Sequence, residues 1–428
     1  MPNPVPPLTP EEFSARFADL HPPLAPQAAA IEASRCLNCF DAPCTAACPT
    51  HIDVPKFIKK ISNGNPRGSA AAILDSNILG LSCSRVCPVD VLCEGACVMH
   101  RYHRQPIEIG RLQRHAMDWF YAHSPSLPVA PDRGKRVACI GAGPASLACA
   151  AQLRREGFAV TIFDRQPMAG GLNTYGVAEY KLRPADSMKE VELLQSMGVE
   201  FRLEVEVGAN IDELERDFDA IFLGVGLGPT HRLGIPGENL PGVIDALRFI
   251  ADYKTADYRT GDVAIGRRVA VIGAGNTAID AATAARRLGA SEVHILYRRG
   301  ETEMPAFEYE YEIAKLDGIR FHWWTRPVRI QGAASVEGIE CLNHEGRYFH
   351  LECDMVIPSI GQSRLVDFLA SVRGVQVDGG RVVVNRETGQ TANPKYFAGG
   401  DCVNGGREVV DAVADGKRAG IGMARWLI

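Results

Sequence analysis

Two textures divide the chain. Up to about residue 123, apolar residues recur at helical spacing, and EEFSARFADL, APQAAAIEASRCL and GRLQRHAMDWFYAH predict helices. The stretch 124–135, SPSLPVAPDRGK, is rich in proline and serine and predicts a linker. Beyond it, strand-like runs such as RVACIG, AVTIFD and AIFLGVG alternate with helix-like runs. That alternation predicts an α/β fold with parallel layers.

The α/β part contains an internal repeat. Residues 136–165 and 268–299 each read strand, glycine-rich turn, helix, strand. This predicts two Rossmann-like nucleotide-binding units in one chain. The C-terminal KYFAGGDCVNGGREVVDAVADGKRAG reads as a return to the first unit, so the second is nested within it. The expected layout is a helical segment over 1–123, a linker over 124–135, a first nucleotide-binding domain over 136–250 and 352–428, and a second over 251–351.

In the first copy, Gly141 permits a tight turn and Gly143 lets backbone amides approach a pyrophosphate. Ser146 is small enough for helix to pack on strand, and the helix N-terminus faces the phosphates. Asp164 follows the second strand, where a carboxylate can accept hydrogen bonds from ribose hydroxyls. Gly170-Gly171-Leu172 would let backbone pass close to a bulky cofactor. FAGGD, ending in Gly400-Asp401, places an acid for polyol hydroxyls, although alone it would read as a helix cap. The second copy has Gly273, Gly275 and Ala278, and its second strand ends without an acid. Arg298 and Arg299 follow instead; they can meet a 2′-phosphate or stand as ordinary surface residues.

Eight of the 13 cysteines lie between Cys36 and Cys97. Cytosolic thiols are kept reduced, so this array asks for metal or redox chemistry rather than disulfides. Paired CxxC units would suit zinc. Here Cys36-x2-Cys39 continues as x4-Cys44-x3-Cys48-Pro, closer to ferredoxin-like iron–sulfur patterns. The other five, Cys139, Cys149, Cys341, Cys353 and Cys402, read as buried packing residues. The net charge of −5 is spread along the chain and gives no nucleic-acid footprint. No apolar run reaches the ~20 residues of a membrane span, and no signal peptide is evident. A cytoplasmic location is expected.

Cysteine array, paired glycine turns and FAGGD together resemble the electron-input module shared by dihydropyrimidine dehydrogenase and the small subunit of glutamate synthase. The resemblance runs from about Ala33 to Leu427. Cys87 and Cys93 are six apart, and Ile107-Glu108-Ile109-Gly110-Arg111-Leu112-Gln113 matches a glutamine-ligand context, both as in the dihydropyrimidine dehydrogenase branch. The resemblance implies one [4Fe-4S] cluster on Cys36, Cys39, Cys44 and Cys97. It implies a second on Cys48, Cys87, Cys93 and Gln113, with Cys83 left over.

It further implies FAD binding by Gly141, Ala142, Gly143, Pro144, Ala145 and Ser146, by Asp164, Gly170, Gly171 and Leu172, by Lys181, and by Gly400, Asp401 and Val409. Nicotinamide nucleotide would lie on Ala274, Gly275, Asn276, Thr277, Arg298, Arg299, Ser359, Ile360 and Gly361. NADPH-using relatives carry a further base after the arginine pair; here Glu301 and Glu303 stand nearby, which tilts the expectation to NADH.

The implied reaction is NAD(P)H-linked interconversion of uracil or thymine with the 5,6-dihydro forms. This chain would supply electrons to a partner subunit carrying FMN and further iron–sulfur clusters, with no acid–base residue of its own. No barrel-length segment for the pyrimidine site is evident. The alternative within the resemblance is the glutamate synthase small subunit. A stand-alone disulfide reductase would need a redox CxxC beside the flavin, and the only CxxC is in the N-terminal array.

Overall fold

The structure is a computed structural model and describes residues 5–123, 126–208, 211–255 and 264–428. Ser124 and Pro125 of the expected linker, and 256–263 within the expected second domain, lie outside the described residues. The chain forms two compact units, each assembled from separate stretches. One comprises 20–174, 184–227 and 364–428; the other comprises residues up to 19, 175–183 and 228–363. Residues 175–183, 228–250 and 352–363, read above with the first nucleotide-binding domain, cluster with the second. The Cys-rich helices cluster with the first sheet.

In chain order the first unit supplies β1 (Arg136–Ile140), β2 (Ala159–Phe163), β3 (Glu200–Arg202) and β4 (Ala220–Leu223). The second supplies β5 (Arg268–Ile272), β6 (Glu292–Leu296), β7 (Arg320–His322), β8 (Thr325–Gln331), β9 (Gly338–Asn343), β10 (Tyr348–Glu352) and β11 (Met355–Pro358). The first unit then adds a short ribbon, β12 (Val377–Asp378) with β13 (Arg381–Val382), and finally β14 (Tyr396–Ala398). The larger sheet runs β14-β4-β1-β2-β3, parallel throughout. The second unit has a parallel sheet β11-β5-β6-β7 and an antiparallel meander β10-β9-β8. The central strands are buried on both faces, which is why they read as continuous apolar runs rather than alternating ones.

Proline stands at the first helical position in Pro10–Arg16, Pro26–Ser34, Pro43–Ala47, Pro66–Ser76 and Pro144–Arg155, where its missing N–H costs nothing. The helix Val54–Ser62 buries Val54, Phe57, Ile58 and Ile61 and leaves Lys59 and Lys60 on the other face. Burying each large apolar side chain is worth roughly 1.5–3 kcal/mol, so Phe57→Asp would detach this helix. Its core is continuous with that beneath β1 and helix Pro144–Arg155. That helix meets the C-terminal helix Val409–Leu427 so closely that a Cβ on Gly416 would lie 1.9 Å from the Ala145 carbonyl oxygen.

Polar anchors join the Cys-rich helices to the rest of the same unit. Arg155 donates to the Leu74 carbonyl (2.9 Å), and the Lys417 ammonium donates to the Asp75 carbonyl (2.7 Å). Glu190, fully buried on helix Pro184–Ser196, accepts the N–H groups of Leu81 (2.9 Å) and Ser82 (3.0 Å) and the Ser82 hydroxyl. Those amides are orphan donors in the first turn of Gly80–Val86, the helix that leads into Cys87.

Candidate functional site

The two glycine turns are built alike. Gly141 sits at φ +90° and Gly273 at +123°, in the left-handed region that favours glycine. A Cβ on Gly141 would strike the Gly224 carbonyl oxygen at 2.5 Å; one on Gly273 would strike that of Ser359 at 2.1 Å. Gly141 N–H donates to Phe163 O (2.8 Å), and Gly273 N–H donates to Leu296 O (3.0 Å). Gly143 and Gly275 are the N-caps of Pro144–Arg155 and Asn276–Leu288, so each turn aims free helix-start amides outward.

In the first unit, Asp164 ties the turn down. One carboxylate oxygen accepts Ala142 N–H (2.6 Å) and the other accepts Gln166 N–H (2.8 Å). Gly171 lies against the turn, since its Cβ would be 2.8 Å from Gly143 Cα, and Gly170 N–H donates to Ala142 O (2.8 Å). Leu172 opens the short helix Leu172–Tyr175. A cavity of about 160 Å³ is lined by Gly141, Asp164, Arg165, Glu206, Val225 and Phe368, among others. Ser146 is fully buried with its hydroxyl unpartnered. Gly400 caps the helix Asp401–Asn404, and Val409 starts Val409–Leu427. Burial raises the Asp401 carboxyl above its ordinary value. The open face at Gly143, where a Cβ would touch nothing, suits close approach by a pyrophosphate, so the residues present fit FAD. Glu206 and Phe368 carry no sequence signal that marks them as cavity residues.

Lys181 lies in the other unit. Its ammonium is 2.5 Å from Asp280 and 2.7 Å from Glu310, all three side chains being nearly inaccessible. Burial alone would lower its pKa, but the two carboxylates outweigh that and hold it up. Asp280 also accepts the Tyr180 hydroxyl (2.9 Å) and Ala178 N–H (3.2 Å), fixing the strap 175–183 to helix Asn276–Leu288.

Around the second turn, Ala274 O accepts Ala306 N–H (3.3 Å) and Asn276 Oδ1 accepts Phe307 N–H (3.0 Å). Thr277 is half-buried beside them. Ser359, Ile360 and Gly361 follow β11 directly, placing that backbone against Gly273. Arg298 and Arg299 are exposed. Glu303 folds back to accept Gly300 N–H (3.2 Å).

The thiols fall into two neighbourhoods. Cys36, Cys39, Cys44 and Cys97 line one cavity with Pro43, Val54 and Ile58. Burial pushes the Cys44 thiol up to about 11, with the Cys36 and Cys97 thiols adding to it. Cys36 is raised by burial and then by Cys39 and Cys97. In the second neighbourhood, Cys87 is raised by its hydrogen bond with Cys83 and by burial, with Cys93 and Cys48 contributing. Burial also raises Cys93, with Glu94 and Cys48 contributing. Gathered thiols in an apolar setting resist ionising unless a cation is present, so this donor set fits metal clusters. The first four thiols line that cavity rather than meeting at a point. Among the described residues, no three His, Cys, Asp or Glu converge closely enough for a lone ion. Gln113, buried on helix Ile109–Ala122, donates its amide to Gly80 O (2.8 Å) at the start of the helix bearing Cys83.

Two nested parallel sheets, each with a phosphate-type glycine turn, define the two-dinucleotide flavoprotein class. Residues 135–416 match the model for pyridine nucleotide-disulphide oxidoreductases, and 13–125 match that for dihydropyrimidine dehydrogenase domain II, 4Fe-4S cluster. The chain belongs to the pyridine nucleotide-disulphide oxidoreductase family and carries a 4Fe-4S domain ahead of the nucleotide-binding part. It is 34% identical to the glutamate synthase [NADPH] small chain of Escherichia coli (strain K12), over 96% of this chain and 94% of that one. It is 33% identical to the NAD-dependent dihydropyrimidine dehydrogenase subunit PreT of Salmonella typhimurium, over 96% of this chain and 97% of that one. Thioredoxin reductase of T. acidophilum shares the fold, with TM-score 0.56 and 22% identity over 68% of this chain and 97% of that one. The chain is thus an NAD(P)-dependent flavin and iron–sulfur oxidoreductase of the electron-input type. Among the described residues, no helix is long and apolar enough to cross a membrane.

Proposed function

We propose that this chain is the electron-input subunit of a dihydropyrimidine dehydrogenase. When bound, FAD would supply hydride acceptance from NAD(P)H and two [4Fe-4S] clusters would supply one-electron transfer to a partner subunit, whose FMN site would interconvert uracil or thymine with the dihydro forms. The observation that carries this reading is Gln113, buried in the same unit as the thiols and held against the start of the helix that leads into Cys87. The six-residue step from Cys87 to Cys93 agrees with it.

On this reading the proposed cluster ligands are Cys36, Cys39, Cys44 and Cys97, and Cys48, Cys87, Cys93 and Gln113. Residues 141–146 present helix-start amides to the flavin nucleotide pyrophosphate, and Asp164 keeps that turn in place through Ala142. Lys181 spends its charge on Asp280 and Glu310 rather than on the flavin. The second turn, with Ser359 to Gly361 beside it, takes the nicotinamide nucleotide, NADH being favoured. The chain's own residues bind, orient and exclude water; none is assigned as acid or base. The 34% match to a glutamate synthase small chain keeps that second reading in play.

The test is anaerobic reconstitution. The isolated chain should carry one FAD and about eight irons, oxidise NAD(P)H with ferricyanide, and leave uracil untouched. Adding an FMN-bearing dihydropyrimidine dehydrogenase subunit should start uracil-dependent NAD(P)H oxidation, and Gln113→Ala should cut that coupling far more than ferricyanide reduction. Uracil consumption by the chain alone, or productive coupling only with a glutamate synthase large subunit, defeats the proposal.

A further inference from the structure

We propose that the surface over the Cys36–Cys97 cavity is the docking face for the electron acceptor, a separate protein presenting a one-electron centre beneath an acidic patch. The inference rests on the reading above that electrons leave this chain through its thiol-bound clusters. Two segments make the face. Residues 36–40 contribute Leu37, 54% exposed, and Phe40, fully exposed between two cavity cysteines. Residues 97–105 contribute Tyr102, 63% exposed, at the end of the short helix Val98–Tyr102 that begins after Cys97. The segments are laced together: Arg35 donates to the carbonyls of Gln105 (2.6 Å) and Pro106 (3.4 Å), and Cys36 and Cys97 line one cavity.

Large aromatic side chains left in water have no folding rationale, and at the centre of an interface they are the usual anchors. The rim supplies the sign of the partner. His100, Arg101, His103 and Arg104 are all exposed, and neither arginine joins an ion pair among the described residues. Neither segment carries an acid; Asp41 stands one residue past the first. The whole chain carries −5, so this basic stretch is opposite in sign to the chain's net charge. An apolar centre with a predominantly basic rim, Asp41 being exposed beside Phe40, suits a small, short-lived encounter steered by charge, as electron-transfer partners use. Electron tunnelling weakens steeply with distance, so the acceptor must sit over the thiols nearest solvent, and Phe40 marks that place.

The probe is an acidic two-cluster ferredoxin, with the neutral quinone menadione as a second acceptor, both driven by NADH and the anaerobic holoprotein. Ferredoxin reduction by the wild type should fall as salt rises. Arg101→Glu with Arg104→Glu should slow it at low salt by about tenfold and remove or invert the salt dependence. Phe40→Ser should slow it at every salt concentration. Menadione reduction and iron content should stay unchanged in both variants. A wild-type ferredoxin rate indifferent to salt, or variants that reduce ferredoxin at the wild-type rate, overturns the docking face and leaves the proposed function standing. A wild-type chain without iron and sulfide overturns both. A wild-type dimer by sedimentation that Phe40→Ser dissolves would give the face to a second copy and overturn the proposal.

Discussion

The two strand–turn–helix copies superpose in their hydrogen bonding and differ in what surrounds them. Gly141 and Gly273 both donate across to the end of the second strand, and both are pressed against a backbone carbonyl, of Gly224 or Ser359. One residue later in the design they part. After its second strand the first copy places Asp164, whose two oxygens hold the turn; the second places Tyr297, whose hydroxyl donates to Glu303 O (3.0 Å). Within the helices, Ala148 of the first copy stands where the second has the buried acid Asp280. Helix Pro144–Arg155 is covered by a close apolar neighbour, whereas helix Asn276–Leu288 carries a buried charge that Lys181 pairs and that Tyr180 and Ala178 hydrogen-bond. The lesson is that the turn is set by local backbone demands, while the chemistry of each copy is set by single residues at matched positions, with Lys181 the one contributed from elsewhere.

The largest effect should come from breaking the second copy's charge set. Lys181→Met leaves Asp280 and Glu310 buried without a cation, at a cost of about 3–5 kcal/mol. Urea unfolding measures it, and adding Asp280→Ala, which imitates Ala148, should recover part of the loss. A neutral Lys181→Met would show that the buried ions contribute nothing, and the contrast between the helices would fail.

Next comes a buried acid elsewhere in the first unit, Glu190. Burial pushes its carboxyl up to about 7, so the folded state holds a proton more readily than the unfolded chain. That contribution to stability is full below about pH 4.5 and is lost as pH rises through about 7. The interval corresponds to about 3 kcal/mol. Urea midpoints at pH 5 and pH 8 should therefore differ more in the wild type than in Glu190→Gln; equal differences would remove Glu190 as the cause.

Matched substitutions at the strand ends give a third, smaller effect. Asp164→Asn weakens two charge-assisted hydrogen bonds of about 1.5–3 kcal/mol each, so FAD should dissociate at least tenfold more readily, worth about 1.4 kcal/mol. Tyr297→Phe should leave FAD retention unchanged. Equal FAD loss in the two variants would erase the distinction between the copies. Smallest is the nucleotide preference. NADH should reduce the flavin at least as fast as NADPH in stopped flow. A tenfold preference for NADPH, about 1.4 kcal/mol, would show that Arg298 and Arg299 suffice for a 2′-phosphate despite Glu301.

Legibility in the sequence tracks the range of the interactions. Both glycine turns and their helices could be read because each follows from residues within about one supersecondary unit. The helix expected over EEFSARFADL is Pro10–Arg16: Thr9 and Glu12 form a capping box at one end, and at the other Phe17 turns inward beside Phe13, stacked at 4.4 Å, ending the helix before the expected limit. The thiol neighbourhoods could not be sorted by spacing, since Cys97 lines a cavity with cysteines more than fifty residues earlier. The partners of Lys181 lie about a hundred residues and more along the chain, with no local pattern to announce them. Glu206 and Phe368 enter the cavity beside Asp164 only because their loops converge there.

The parallel sheet β14-β4-β1-β2-β3 has a consequence for the order of synthesis. Its edge strand, Tyr396–Ala398, pairs with β4, Ala220–Leu223, and between the two the chain must make the whole of the second sheet. At about 5–20 residues per second on the ribosome, the β4 edge waits roughly ten seconds or longer before its partner emerges. The helix that covers Pro144–Arg155 comes later still. During that interval an apolar strand edge and an apolar helix face are both bare, the conditions under which nascent chains recruit chaperones. The nested second unit, whose strands β5 to β11 are contiguous in sequence, can close its own sheets first and so matures before the unit that encloses it.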